Sequence, residues 1–205
     1  MDLRLIFTSR VQQYCSDTSV SEFLWKRIEA NYSKKKRYYH TLKHLDNLII
    51  ELTDVKDNIE DWDTILFSVF YHDVVYNVLK NNNEQESAEL AANQLKSIDY
   101  PKERIALCKR QILSTKDHLI SENNDTNFFI DADLSILGKF PEGYEEYILQ
   151  IRREYSIYPD MIYKPGRRKV VQHFLGMDKI YKTKYFADKY EEQAKQNLLR
   201  ELSQL

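Results

Sequence analysis

Glycine and proline are scarce, with four of each in 205 residues, so few segments are interrupted early. Against a supply of Leu, Ile, Lys, Glu and Gln, helix is the favoured state. Cysteine is scarcer still. Cys15 and Cys108 are too few and too isolated for a disulfide framework or a zinc ribbon, which suits a reducing cytosol. No apolar run is long enough for a membrane span, and the opening Met1-Asp2-Leu3-Arg4 is not a secretory signal. A soluble, cytoplasmic protein with no membrane partner is therefore expected. An excess of positive charge is also missing: the formal net charge is −2, which argues against a polyanion such as nucleic acid as the main partner. Gly-x-Ser-x-Gly, a P-loop and the Glu-x-x-His of di-iron carboxylate bundles are all absent, so those site types lack support.

What is present is apolar residues at helical spacing. Leu3, Leu5, Ile6, Val11 and Tyr14 suggest a first amphipathic helix, and Ser19 or Ser21 is placed to cap a second through Phe23, Leu24, Trp25 and Ile28. After the basic run Lys34-Lys35-Lys36-Arg37, a third helix carries Leu42, Leu45, Leu48, Ile49 and Leu52. Asp61 or Asp63 is placed to cap a fourth, whose apolar face is Trp62, Ile65, Leu66, Val69 and Phe70 and which reaches His72-Asp73 near its end. Asn83 looks like the cap of a helix bearing Ala88, Ala91, Ala92 and Leu95, and Pro101 suits the first turn of another that runs toward Thr115 and His118. A polar loop, residues 121–127, precedes Phe128-Phe129-Ile130, which could form a helix or a buried strand, and Gly138 is placed as a helix stop. Pro141 and Pro165-Gly166 each open a later helix, and a charged amphipathic helix from about Lys184 closes the chain. The fifteen tyrosines suit packing at the core margin better than a nucleic-acid stacking platform. The chain is expected to be a single all-α domain over residues 1–205.

Histidine is rare, five in the chain, and its placement is not even. His40 and His44 are four apart, so on one helix they share a face. His72 is followed directly by Asp73. Neighbours on a helix diverge by about 100°, so this pair reaches one ion only at a helix edge or terminus. Asp131 and Asp133 fall on roughly opposite sides of a helix, so at most one of them faces the same ion, and spacing does not say which. Three separate stretches thus offer imidazole and carboxylate groups of the kind that hold a divalent cation. Taken singly, each has an ordinary structural counterpart: a partly buried imidazole satisfied by backbone, a chance dipeptide, a capping aspartate.

Tyr39-His40-Thr41-Leu42-Lys43-His44, Phe70-Tyr71-His72-Asp73-Val74-Val75-Tyr76, Asn83-Glu84-Gln85-Glu86-Ser87-Ala88, Ser114-Thr115-Lys116-Asp117-His118 and Asp131-Ala132-Asp133-Leu134-Ser135-Ile136-Leu137-Gly138 together resemble the signature of the predicted metal-dependent HD superfamily phosphohydrolases. The likeness continues through Arg153-Glu154-Tyr155, Arg167 and Ile180-Tyr181-Lys182-Thr183, and so covers nearly the whole chain. It implies an HD-domain-like helical bundle with additional C-terminal helices and a metal-site core at about residues 37–140. It also implies a cation held by His44, His72, Asp73 and Asp133. By similarity to the Tyr-His-x-x-x-x-His pattern of cyclic-nucleotide phosphodiesterases, His40 would protonate the leaving group. Here that spacing is one residue shorter, which leaves the roles of His40 and His44 open to exchange.

His118 is expected to contact phosphate or a second metal, or to sit behind the ligands. Glu84 and Glu86 either act on water at the metal or complement a helix dipole, and Arg37, Lys43 and Lys116 either hold a phosphate or are solvated. The function implied is cleavage of a phosphate ester of a nucleotide or similar small metabolite by metal-activated water, with His40, His118 and Asp73 as catalytic groups. The cofactor would be Mn, Fe, Ni, Co, Zn or Mg. The alternative is a metal-containing module that senses a nucleotide without turning it over.

Overall fold

A computed structural model describes residues 1–205 as ten α-helices and two short 3-10 helices, with no strand. The all-α expectation is met. No helix is long and apolar enough to cross a membrane. The chain divides into two compact units, residues 1–130 and 131–205. The division falls within a continuous helix, Asn124–Asp133, which is described with the first unit.

The first unit runs α1 (Leu3–Gln12), α2 (Thr18–Tyr32), α3 (Leu42–Thr53), α4 (Trp62–Tyr71), α5 (Asn83–Lys96), α6 (Lys102–Ser114) and α7 (Asn124–Asp133). Four of these starts, those of α1, α2, α3 and α4, are set by side-chain caps. Asp2, Asp17, Thr41 and Asp61 accept the amides of Leu5, Ser19, Lys43 and Thr64, each filling an otherwise orphaned donor. The cap of α2 is therefore Asp17, not Ser19 or Ser21: it comes first in the chain, and its carboxylate reaches the Ser19 amide at 2.8 Å.

α4 lies at the centre of this unit. From Thr64 to Tyr71 every residue is buried, as a helix apolar on all sides requires. Phe67, Phe70 and Tyr71 meet Phe7 of α1, whose ring also packs against Trp25 of α2. Burying one such ring contributes roughly 2–3 kcal/mol. The polar residues of α4 are satisfied locally. Thr64 Oγ1 bonds to Asp61 and to the Tyr100 hydroxyl, and Ser68 Oγ donates to Gln111 Oε1 at 2.6 Å, with Cys108 Sγ also in contact with it. Burial pushes the Cys108 thiol up to about 12, so this cysteine is inert packing.

α7 starts at Asn124, inside the stretch expected to be loop, and continues helically through Phe128-Phe129-Ile130. Burial of those three residues accounts for their apolar character, and the short apolar run did not discriminate helix from strand. Asp125 accepts the amides of Glu60 and Asp61 at 2.9 and 2.8 Å, which pins the start of α7 to the start of α4. Both helices are ten residues long, so each advances about 15 Å.

The second unit comprises the 3-10 turn Leu134–Gly138, α8 (Pro141–Glu154), α9 (Asp160–Leu175) and α10 (Lys184–Gln204). Its core is Tyr144, Ile151, Val171, Ile180, Tyr181, Phe186, Tyr190, Ala194 and Leu198. Gly138 has no positive φ; it is needed for closeness, because a Cβ there would stand 2.5 Å from that of Tyr190. Asn197 locks the same contact by donating to the carbonyls of Leu137 and Lys139 at 2.9 and 2.8 Å. α9 begins at Asp160, five residues before Pro165, not at Pro165-Gly166. Proline there removes only the bond to the Met161 carbonyl, in an exposed first stretch of helix where water can replace it.

Candidate metal centre

His72 is delivered by the end of α4. As its C-cap it keeps helical dihedrals, and its amide donates to Ser68 O at 2.9 Å. Only 1% of the residue is exposed. Its ring orientation is set from behind, since Nδ1 lies 2.8 Å from the carbonyl of Val69. A carbonyl only accepts, so Nδ1 carries the proton and Nε2 presents a lone pair, the arrangement typical of a metal-ligating histidine. The edge of the Phe129 ring closes one side of the imidazole.

The chain leaves α4 at Asp73, whose amide donates to the buried Tyr32 hydroxyl at 3.2 Å. Its carboxylate turns back over the preceding ring, with Oδ2 3.1 Å from His72 Nε2 and 3.8 Å from His44 Nε2. His44 occupies the first turn of α3 and is 3% exposed. Its Nε2 lies 3.1 Å from His72 Nε2. Two atoms about 2.1 Å from a shared ion stand ~3.0 Å apart in octahedral and ~3.4 Å in tetrahedral coordination. The observed separation falls in that interval.

Asp133 completes the set. It is the last residue of α7, and one of its oxygens lies within 4.8 Å of ligand atoms of both His44 and His72. His44, His72 and Asp133 thus form a group able to hold a divalent cation, and Asp73 Oδ2 stands beside both imidazoles.

Asp131, two residues earlier, does different work. Its carboxylate accepts the amides of Lys182 and Thr183 at 2.8 and 2.7 Å and the Thr183 hydroxyl at 2.7 Å, and so holds the start of α10. Burial raises its pKa to about 6 in spite of those donors. The structure therefore separates the two aspartates that spacing left open.

His40 corrects a sequence expectation. It does not share a helix with His44, because Thr41 in an extended conformation caps α3 and leaves His40 in the preceding turn. Its ring nevertheless stands 5.8 Å from that of His44, and its Nε2 lies 3.8 Å from Asp73 Oδ2. At 17% side-chain exposure it forms the rim, where His44 and His72 form the floor. Tyr39 and Tyr76 flank it.

His118 stands in a left-handed turn just after α6, with φ of 50°, and is not one of the three convergent ligands. Glu84 and Glu86 lie in the first turn of α5, and Glu86 pairs with Lys80. Lys43 pairs with Asp46. Arg37, placed among the candidate phosphate contacts, is buried and bonded to backbone carbonyls. Spacing gave no warning of Thr41 or Tyr32 as site-shaping residues, although a threonine before an apolar-periodic stretch is a capping signal.

Comparison of the chain with protein-family models, curated proteins and solved structures finds no match. The site is read from its own chemistry.

Proposed function

We propose that the chain is a metal-dependent phosphohydrolase of the HD type, cleaving a phosphate ester of a nucleotide or similar small metabolite by metal-activated water. One observation carries this reading: the Nε2 atoms of His44 and His72 converge at 3.1 Å beside carboxylates of Asp73 and Asp133. A divalent ion held there, of Mn, Fe, Ni, Co, Zn or Mg, would acidify water and offset the charge of a phosphoryl oxygen.

The chain's own groups do the rest. The Val69 carbonyl keeps His72 in the tautomer that offers Nε2 inward. His40, on the half-open rim beside Asp73, is positioned to hand a proton to the departing alkoxide oxygen. Phe129 and the buried flank of α4 keep bulk water from the floor of the site.

The test is turnover of phosphomonoesters and nucleotides by protein loaded with each of these ions, beside His72→Ala and Asp73→Ala. Both variants are expected to lose roughly 100-fold or more of the activity. Equal turnover by all three proteins would end the catalytic assignment. Nucleotide-induced stabilisation with no product after long incubation would point instead to a sensing module.

A further inference from the structure

Arg37 is the one member of the basic run that the fold hides: Lys34, Lys35 and Lys36 are exposed, whereas Arg37 is 7% exposed. Its Nη1 donates to the carbonyl of His40 at 3.1 Å and its Nη2 to the carbonyl of Val74 at 3.1 Å. Nε is buried and meets no acceptor. The guanidinium carbon lies 4.8 Å from the centre of the Tyr32 ring and 5.4 Å from that of Tyr76. Tyr76 in turn lies against the His40 imidazole, with centroids 4.2 Å apart and planes 32° from parallel. Tyr32 receives the Asp73 amide through its hydroxyl.

These contacts link His40 to the Asp73-Val74 step. Burying a cation with one donor unmet is costly, and a neutral side chain of the same volume would avoid that cost. What the guanidinium adds is geometry, because a rigid planar fork reaches two carbonyls at once while its faces stack on aromatic rings.

We propose that Arg37 is a positioning residue that braces the His40 segment against the Asp73-Val74 step and, through Tyr76, sets the plane of the His40 ring beside the Asp73 carboxylate. The catalytic half of this inference rests on His40 serving the hydrolase proposed above; the brace itself does not.

Two measurements on the full chain separate the halves. In the first, the ring protons of His40 are followed by NMR at fixed pH. In the wild type they are shifted upfield by the Tyr76 ring current; in Arg37→Met they return toward unstacked values while those of His72 stay in place. His40 signals that are unmoved by Arg37→Met overturn the proposal. In the second, Mn²⁺-loaded protein is assayed on a nucleoside monophosphate. Arg37→Met is expected to lower kcat about ten-fold with KM little changed, and to have no further effect in a His40→Ala background. An equal drop in both backgrounds overturns action through His40. A wild type with no turnover but with the His40 shift intact removes the hydrolase reading and leaves the brace standing. Arg37→Lys keeps the charge but not the planar fork, is expected to move the His40 signals in the same direction, and serves as the second variant should Arg37→Met not fold.

Discussion

Arg167 in the second unit and His72 in the first are both buried, at 8% and 1% exposure, and they meet opposite kinds of neighbour. Arg167 forms a bidentate pair with Glu201, Nε to Oε1 at 2.7 Å and Nη2 to Oε2 at 3.0 Å. Tyr144 donates to the same carboxylate, and Tyr147 accepts from Arg167 Nη1 and lies under the guanidinium. Arg167 Nε, Nη1 and Nη2 and the Tyr144 hydroxyl each find an acceptor there, so the ion pair is complete as folded. Around His72 ring nitrogens and carboxylate oxygens gather instead: its own Nε2, His44 Nε2 and oxygens of Asp73 and Asp133. Buried polarity that closes on itself holds a fold together, and a group of buried imidazoles and a carboxylate is of the kind that can hold a cation.

The largest effect that sharpens this contrast is expected at the complete cluster. Arg167→Met leaves the Glu201 carboxylate buried without its cation and should lower unfolding free energy by about 3–5 kcal/mol. Urea denaturation measures it, and metal bound per folded molecule, read by elemental analysis, should not change. Next comes the converging site. A divalent ion at about 100 times its Kd should stabilise the wild type by about 2.7 kcal/mol and His72→Ala hardly at all. Equal thermal shifts in the two proteins would erase the distinction drawn between the regions.

Gly138→Ala is expected to cost about 1–3 kcal/mol, because the added methyl meets Tyr190 Cβ at 2.5 Å and both backbones must give. A thermal melt suffices to check it, and a neutral result would mean that the approach of α10 to the Leu134–Gly138 turn is looser than described.

The smallest effect lies at Asp61, which caps α4 and pairs with Arg104. Burial pushes its carboxyl pKa up, but Arg104 and Thr64 outweigh this and hold it below the ordinary value. The stability it contributes is therefore complete above the unfolded pKa, near 3.9, and disappears as pH falls through the lower folded value. Acid titration of stability should show a smaller loss below about pH 4 in Asp61→Asn than in the wild type; curves of the same slope would count against the pairing.

Helix boundaries were legible at Asp61, the cap before Trp62–Tyr71, and at Pro141, the first residue of α8; at α2 and α5 the cap lies one or more residues ahead of the Ser19 or Ser21 and Asn83 that were expected. They were misplaced where a single strong residue dominated the reading. Pro165 suggested a helix start, yet an exposed helix absorbs one lost hydrogen bond. In the site, the residue types of the ligand set were visible as rare histidines beside aspartates. The share of work between Asp131 and Asp133 was not, because both directions around a helix are equally available until a neighbour occupies one of them.

The sequence by itself determined the helical state and the imidazole and carboxylate types on offer, since each depends on residues within a turn or two of one another. Only the tertiary structure decided that His40 stands before α3 yet returns to the rim, that Asp131 is spent on the start of α10, and that Asp133 faces His72. In each case a partner distant in sequence decides: Asp73 beside His40, the Lys182 and Thr183 amides on Asp131, and His44 and His72 within reach of Asp133.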